Sequence, residues 1–179
     1  SIAYFFAKDV AAWPQILVGS FCFQLIFKAI ASPLMNNSEV FLCLMPIYYC
    51  AYGVGMLVSI AVQPNLAQLC GFVFVFVNQL YSGSLSPIPM MQKDIFPLNG
   101  FYHLSFLRYG NENFYTTEAS RHKAVSDSLG ISMEDTIKEN FGFSFGTFYR
   151  NLGYIFLWGF CIRIVTCILM TLKDRTKKL

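Results

Sequence analysis

The sequence predicts an all-α membrane protein with four transmembrane helices, and three observations predict it. Hydrophobic residues make up 55% of the 179-residue chain and charged residues 13%, against roughly 25% charged in soluble domains, which leaves too little charge to coat a globule. Between Glu39 and Lys93 there is no Asp, Glu, Lys or Arg. Four apolar runs reach the ~20 residues that carry a helix across a hydrocarbon core of ~30 Å. The same composition excludes disorder, collagen and coiled coil. The net charge of +3 is small and much of it sits in the tail Lys173-Asp174-Arg175-Thr176-Lys177-Lys178-Leu179, so no nucleic-acid partner is expected.

The first run covers residues 10–35 and is broken only by Lys28, close enough to the outer end to snorkel. The second, 40–62, has no charge, and its Ala51, Gly55 and Ser59 put a small residue at every fourth position, the pattern of a helix-packing stripe. The third, 66–82, follows the Gln63-Pro64-Asn65 break. Its Phe72, Phe74 and Phe76 alternate as in a strand. A lone strand in lipid leaves its backbone hydrogen bonds unmade, however, and no series of amphipathic strands follows, so helix is expected. The fourth, 152–172, is interrupted by Arg163 alone.

Residues 83–110 stay apolar but are punctuated by Pro87, Pro89, Pro97, Asn99 and Gly100, as in a re-entrant segment. From 111 to 150 the composition turns polar, and Ser132-Met133-Glu134-Asp135 is a helix start signal. The expected division is thus an approach and first span (1–35), a turn and second span (36–62), a third span (63–82), a re-entrant segment (83–110), an extracellular loop (111–150), and a last span with a basic tail (151–179). Four spans put both ends on one side, and Lys173, Arg175, Lys177 and Lys178 mark that side as cytoplasmic. The sequon at Asn36 hugs the membrane and is expected to go unused. Without an initiator Met or signal peptide, the chain reads as a piece of something longer.

Few residues offer chemistry. The six cysteines, Cys22, Cys43, Cys50, Cys70, Cys161 and Cys167, lie in apolar runs where a thiol packs as a small hydrophobe. No CxxC occurs, and His103 and His122 have no nearby Cys, so no metal site is expected. Gly142-Phe143-Ser144-Phe145-Gly146 matches the nucleophile-elbow pattern, but no His follows Ser144 and no strand precedes it. An aromatic loop at the membrane surface is expected instead. Catalysis within the membrane needs convergent polar groups, and only His103 lies near it. Asn78 and Gln79 must face protein or water, as interhelical ties or as part of a binding surface. Arg108 and Glu112 have the i, i+4 spacing of an ion pair that would lock the re-entrant segment or take part in release. Arg163 is an intramembrane charge whose partner, Asn78 or a carbonyl, the sequence leaves open.

The order of motifs resembles the C-terminal membrane part of a eukaryotic ABC transporter of the White/ABCG half-transporter family. It is carried by Tyr4-Phe5-Phe6-Ala7-Lys8-Asp9 with Pro14, Ala51-Tyr52-Gly53, Tyr81-Ser82-Gly83, Leu104-Ser105-Phe106-Leu107-Arg108-Tyr109-Gly110-Asn111-Glu112 and Cys161-Ile162-Arg163. The resemblance covers nearly the whole chain and implies helices three to six of a six-helix ABC-2 type domain. It implies a dimer, homo- or heteromeric, with a substrate cavity on its axis to which Phe76, Asn78, Gln79 and Leu80 would contribute. Where some relatives carry two leucines as an exit gate, this chain has Ser84-Leu85. The implied function is ATP-driven export of lipid-like or hydrophobic molecules, most simply across the plasma membrane, with an intracellular membrane as the other location. Its partners would be membrane lipid, the substrate and the chain's own upstream nucleotide-binding domain. No phosphate loop occurs in these residues, so ATP and Mg would be held upstream, and any ATP-hydrolysing activity belongs to the full-length protein. A non-pumping membrane scaffold or receptor with a ligand-binding outer loop is the alternative.

Overall fold

Proline, glycine and capping side chains set where the helices stop. The computed structural model describes residues 2–93, 98–122 and 132–176, and among these every regular element is a helix. Helix α1 (Ile2–Ala31) carries Pro14 internally and ends where Ser32 turns to a φ of 46°, just before Pro33. Helix α2 (Asn37–Ala61) opens with the Asn36 N–H donating to Glu39 Oε2 at 2.9 Å. Pro64, whose missing N–H costs nothing in a first turn, starts α3 (Pro64–Leu80). Then come the short α4 (Ile88–Met91) and α5 (Leu98–Leu104), α6 (Phe106–Arg121), α7 (Met133–Phe141) and α8 (Phe148–Thr176). Ser132 caps α7 as its sequence suggests, its Oγ accepting from Asp135 N at 3.2 Å, and Gly142 ends it at a φ of +72°.

Among the described residues, three helices are long and apolar enough to cross a membrane: Ala3–Ala31, Asn37–Ala61 and Phe148–Lys173. The expected third span is an apolar helix, not a strand, but with 17 residues it is shorter than the other three. It measures ~26 Å along its axis, at the lower limit for a crossing. Residues 83–110 are not one helix. The chain leaves α3, forms α4 and α5, and comes back to it: the Ser105 hydroxyl donates to Asn78 O at 2.7 Å. Helix α6 then continues through residue 110, where a division was expected, to Arg121.

The centre of the bundle is α2, packed against α8, α1, α6 and α3. Ala12 and Ile16 of α1 bury against Tyr49, while Cys50, near the middle of α2, buries against Phe106 and Ile155. Helix α6 therefore begins at the mid-height of α2. It ends at the α1–α2 turn, where Glu118 accepts from the N–H groups of Leu34 (2.9 Å) and Met35 (3.1 Å). The expected packing stripe is displaced. Ala51, Gly55 and Ser59 are exposed, and a Cβ on Gly55 would meet nothing within 4 Å. The close approach is made at Gly53, where a Cβ would stand 3.0 Å from the Arg163 guanidinium, because α8 crosses the α2 face that carries Cys50 and Gly53.

Candidate functional site

The end of α3 gathers most of the candidate residues, on two opposite faces. Asn78, 8% exposed, is the buried residue of this otherwise outward-facing helix. Its Nδ2 donates to Phe74 O at 3.0 Å within α3, while the Asn78 backbone carbonyl accepts from the Ser105 hydroxyl. Beside it runs a groove of about 470 Å³ whose walls include Phe74, Val77, Leu80, Leu104 and Trp158. Asn78 and Leu80 thus share one site. Phe76 does not: it lies across the helix, 51% exposed, with its ring stacked on Phe72 at 6.2 Å.

Gln79 points toward the chain turn instead. Its Nε2 donates to Ser84 Oγ at 3.1 Å, and Asn111 Nδ2 reaches the same oxygen at 3.3 Å. The Ser82 hydroxyl donates to Gln79 O at 2.6 Å and lies 2.9 Å from Ser84 Oγ. Ser84 is therefore the knot of a hydrogen-bonded turn, and Leu85 next to it is 61% exposed. Gly83 is required in this turn. Its φ is +83°, and a Cβ would stand 2.8 Å from the ring of Phe143.

Arg108 and Glu112 do not pair with each other. The Arg108 guanidinium lies 4.7 Å from the centroid of Tyr102 and 5.3 Å from that of Tyr109, with Nη1 at 3.1 Å from His103 Nδ1. Glu112, 3% exposed, turns the other way and accepts from Ser144 N (3.0 Å) and Thr147 Oγ1 (3.3 Å). The physical reason is competition. Aromatic faces and a loop N–H hold each side chain without the two having to meet.

The nucleophile-elbow look-alike is what Glu112 holds. Gly142 and Gly146 both have positive φ, and Phe143 is no surface aromatic: at 1% exposed it packs with Ile88, Met91 and Tyr102. All six cysteines are free thiols. Cys43 and Cys50 are buried, while Cys22 and Cys161 face outward.

Arg163, 4% exposed, pairs with neither Asn78 nor carbonyls alone. Its Nε donates to Asp9 Oδ1 at 2.6 Å, and its Nη1 to Tyr49 O (2.9 Å) and Gly159 O (3.3 Å). The guanidinium carbon lies 3.5 Å from the centroid of the Tyr49 ring. Asp9 is the residue that sequence reasoning missed, because the first span was started at residue 10. Its signal was a lone carboxylate heading a long apolar run, complementary to the lone arginine of another. Ser105 and Asn111 were also missed, and nothing in their local sequence marks them as ties to α3 and to the turn after it.

A family model described as an ABC-2 type transporter matches residues 1–176. The chain is 25% identical over 163 residues to the ABC transporter G family member 28 of Arabidopsis thaliana, a match covering 91% of this chain and 14% of that protein. The chain thus spans only a small part of that relative's length. No solved structure matches it. With helices of membrane-crossing length and a family match over nearly its whole extent, the chain belongs to the ABC-2 type transporters, as part of their membrane domain.

Proposed function

We propose that the chain is the membrane portion of an ATP-driven exporter that moves lipid-like or other hydrophobic small molecules outward. The observation that carries this reading is the family match over residues 1–176. The apolar, outward-facing α3 with polar groups gathered at its end supports it. In this reading α3 is the third of four crossings, the polar segment beyond the end of α6 is extracellular, and the membrane is the plasma membrane. A second half-transporter, identical or not, faces Phe76 and Gln79 across the dimer axis, and a nucleotide-binding domain outside these residues supplies ATP and Mg.

Closure of the motor domains switches the pair from a cavity open to the cytoplasm to one open outward, and cargo leaves past Leu85. Pumping requires that the two states bind cargo with different affinity. Gln79 is preorganised for such contact: Ser84 holds its Nε2, and Phe76, one turn below, supplies an apolar face. The test is substrate-stimulated ATP hydrolysis by the full-length protein in lipid. Phe76→Ala and Gln79→Ala are expected to change which compounds stimulate it. An unchanged profile removes the pocket assignment, and transport that proceeds without ATP removes the exporter reading.

A further inference from the structure

Arg163 and Asp9 are held very unequally. Four contacts that do not involve α1 fix the arginine: Tyr49 O, Gly159 O, the face of the Tyr49 ring, and the space left by Gly53. Asp9 holds on by one hydrogen bond, Oδ1 to Nε. The Arg163 Nη2 is buried and has no hydrogen-bond partner. Nε and Nη2 form one edge of the guanidinium fork, the edge that a carboxylate can engage with both oxygens. Only half of that edge is used, and a buried donor left unmade is costly. Apart from this pair, α1 and α8 touch sparingly, since each packs chiefly on α2.

We propose that Asp9 and Arg163 form a two-position latch. In the position seen here, the carboxylate engages through one oxygen; a small shift of α1 brings the second oxygen onto Nη2 and closes the latch. The arginine is the fixed half, clamped to α2, and α1 is the moving half. The latch sets where the beginning of α1 sits against α8, whatever the molecule carries. Its link to a transport cycle rests on the exporter reading above.

The experiment uses the full-length protein in phospholipid vesicles, with native cysteines replaced and nitroxide labels at the outward-facing positions 4 and 172, Tyr4 and Leu172 being 64% and 54% exposed. Two label separations are expected in the parent protein. Asp9→Asn keeps an acceptor for Nε but presents an amide nitrogen to Nη2, and Arg163→Lys removes the fork. Each is expected to lower the population of the closed position at least about tenfold, as the loss of a charge-assisted hydrogen bond requires. A single separation that neither substitution alters overturns the latch.

A second measurement asks whether the latch matters to transport. Replacing both partners, Asp9→Leu with Arg163→Leu, removes the pair without leaving a buried charge. This double variant is expected to assemble yet transport at least about tenfold more slowly. Assembly with transport equal to the parent's reduces the pair to a structural tie and overturns the proposal. If the parent moves no cargo with ATP, the exporter reading fails while the label separations still decide the latch.

Discussion

Among the described residues, two ion pairs join different helices, and they differ in how much water reaches them. At the α1–α2 turn, Arg121 meets Glu39 at 2.5 Å with side chains 41% and 25% exposed, and Glu118 receives Leu34 N and Met35 N while lying 3.1 Å from His122. Near the middle of α2 and α8, Arg163 meets Asp9 at 2.6 Å with side chains 5% and 16% exposed. The separations are almost the same. What differs is the surrounding medium: water screens the first pair and weakens it, whereas the second gave up its hydration to form, so that removing one partner strands the other. Ion pairs of equal length therefore carry unequal weight, and the buried one is where a substitution has global effect.

The largest effect is expected from Arg163→Leu alone, which leaves Asp9 uncompensated and should cost about 3–5 kcal/mol. Thermal unfolding of the purified protein measures this, and a loss under about 1 kcal/mol would show that Asp9 finds water without Arg163. Next comes Glu112→Ala, which strands the Ser144 N–H and should cost about 1–3 kcal/mol. The readout is faster proteolysis between residues 132 and 147, with Glu112→Gln restoring protection because the amide oxygen still accepts.

Gly83→Ala forces a side chain into a left-handed turn and toward Phe143, for about 1–2 kcal/mol or more. If it is tolerated, the turn after α3 is looser than the Ser82–Ser84 hydrogen bonds imply. The smallest effect belongs to Arg121→Ala, below about 1 kcal/mol and erased by high salt. A salt-independent loss as large as that of Arg163→Leu would abolish the contrast between the two pairs.

How far the sequence could be read depended on the range of the interaction. Apolar runs mark α1, α2 and α8 because membrane-scale burial of a helix is a property of consecutive residues. Ser132 marks a helix start because capping acts within one turn, whereas Pro64, which reads as part of a break, is the first residue of α3. The order of motifs from Tyr4 to Arg163 sufficed for the family, which the match over residues 1–176 establishes. Local spacing misled where other partners competed. Arg108 and Glu112 stand one turn apart, but the neighbouring Tyr102 and Tyr109 rings hold the arginine and a loop N–H 32 residues away took the glutamate. Ala51, Gly55 and Ser59 make a regular stripe, yet α8 settled on the neighbouring face. Asn78 and Gln79 are adjacent in sequence and diverge in space, since a helix turns by about 100° per residue.

The sequence by itself determined that the chain is helical, apolar and built for a membrane, because charge content and hydrophobic length act through composition and short segments. Only the tertiary structure decided which polar groups meet. The Arg163–Asp9 bond joins residues 154 positions apart, Ser105 finds Asn78 across 27, and Glu112 finds Ser144 across 32. Such pairings follow from how helices lie against one another, and side-chain packing at Gly53 and Gly159 settles that arrangement rather than any pattern within a single run.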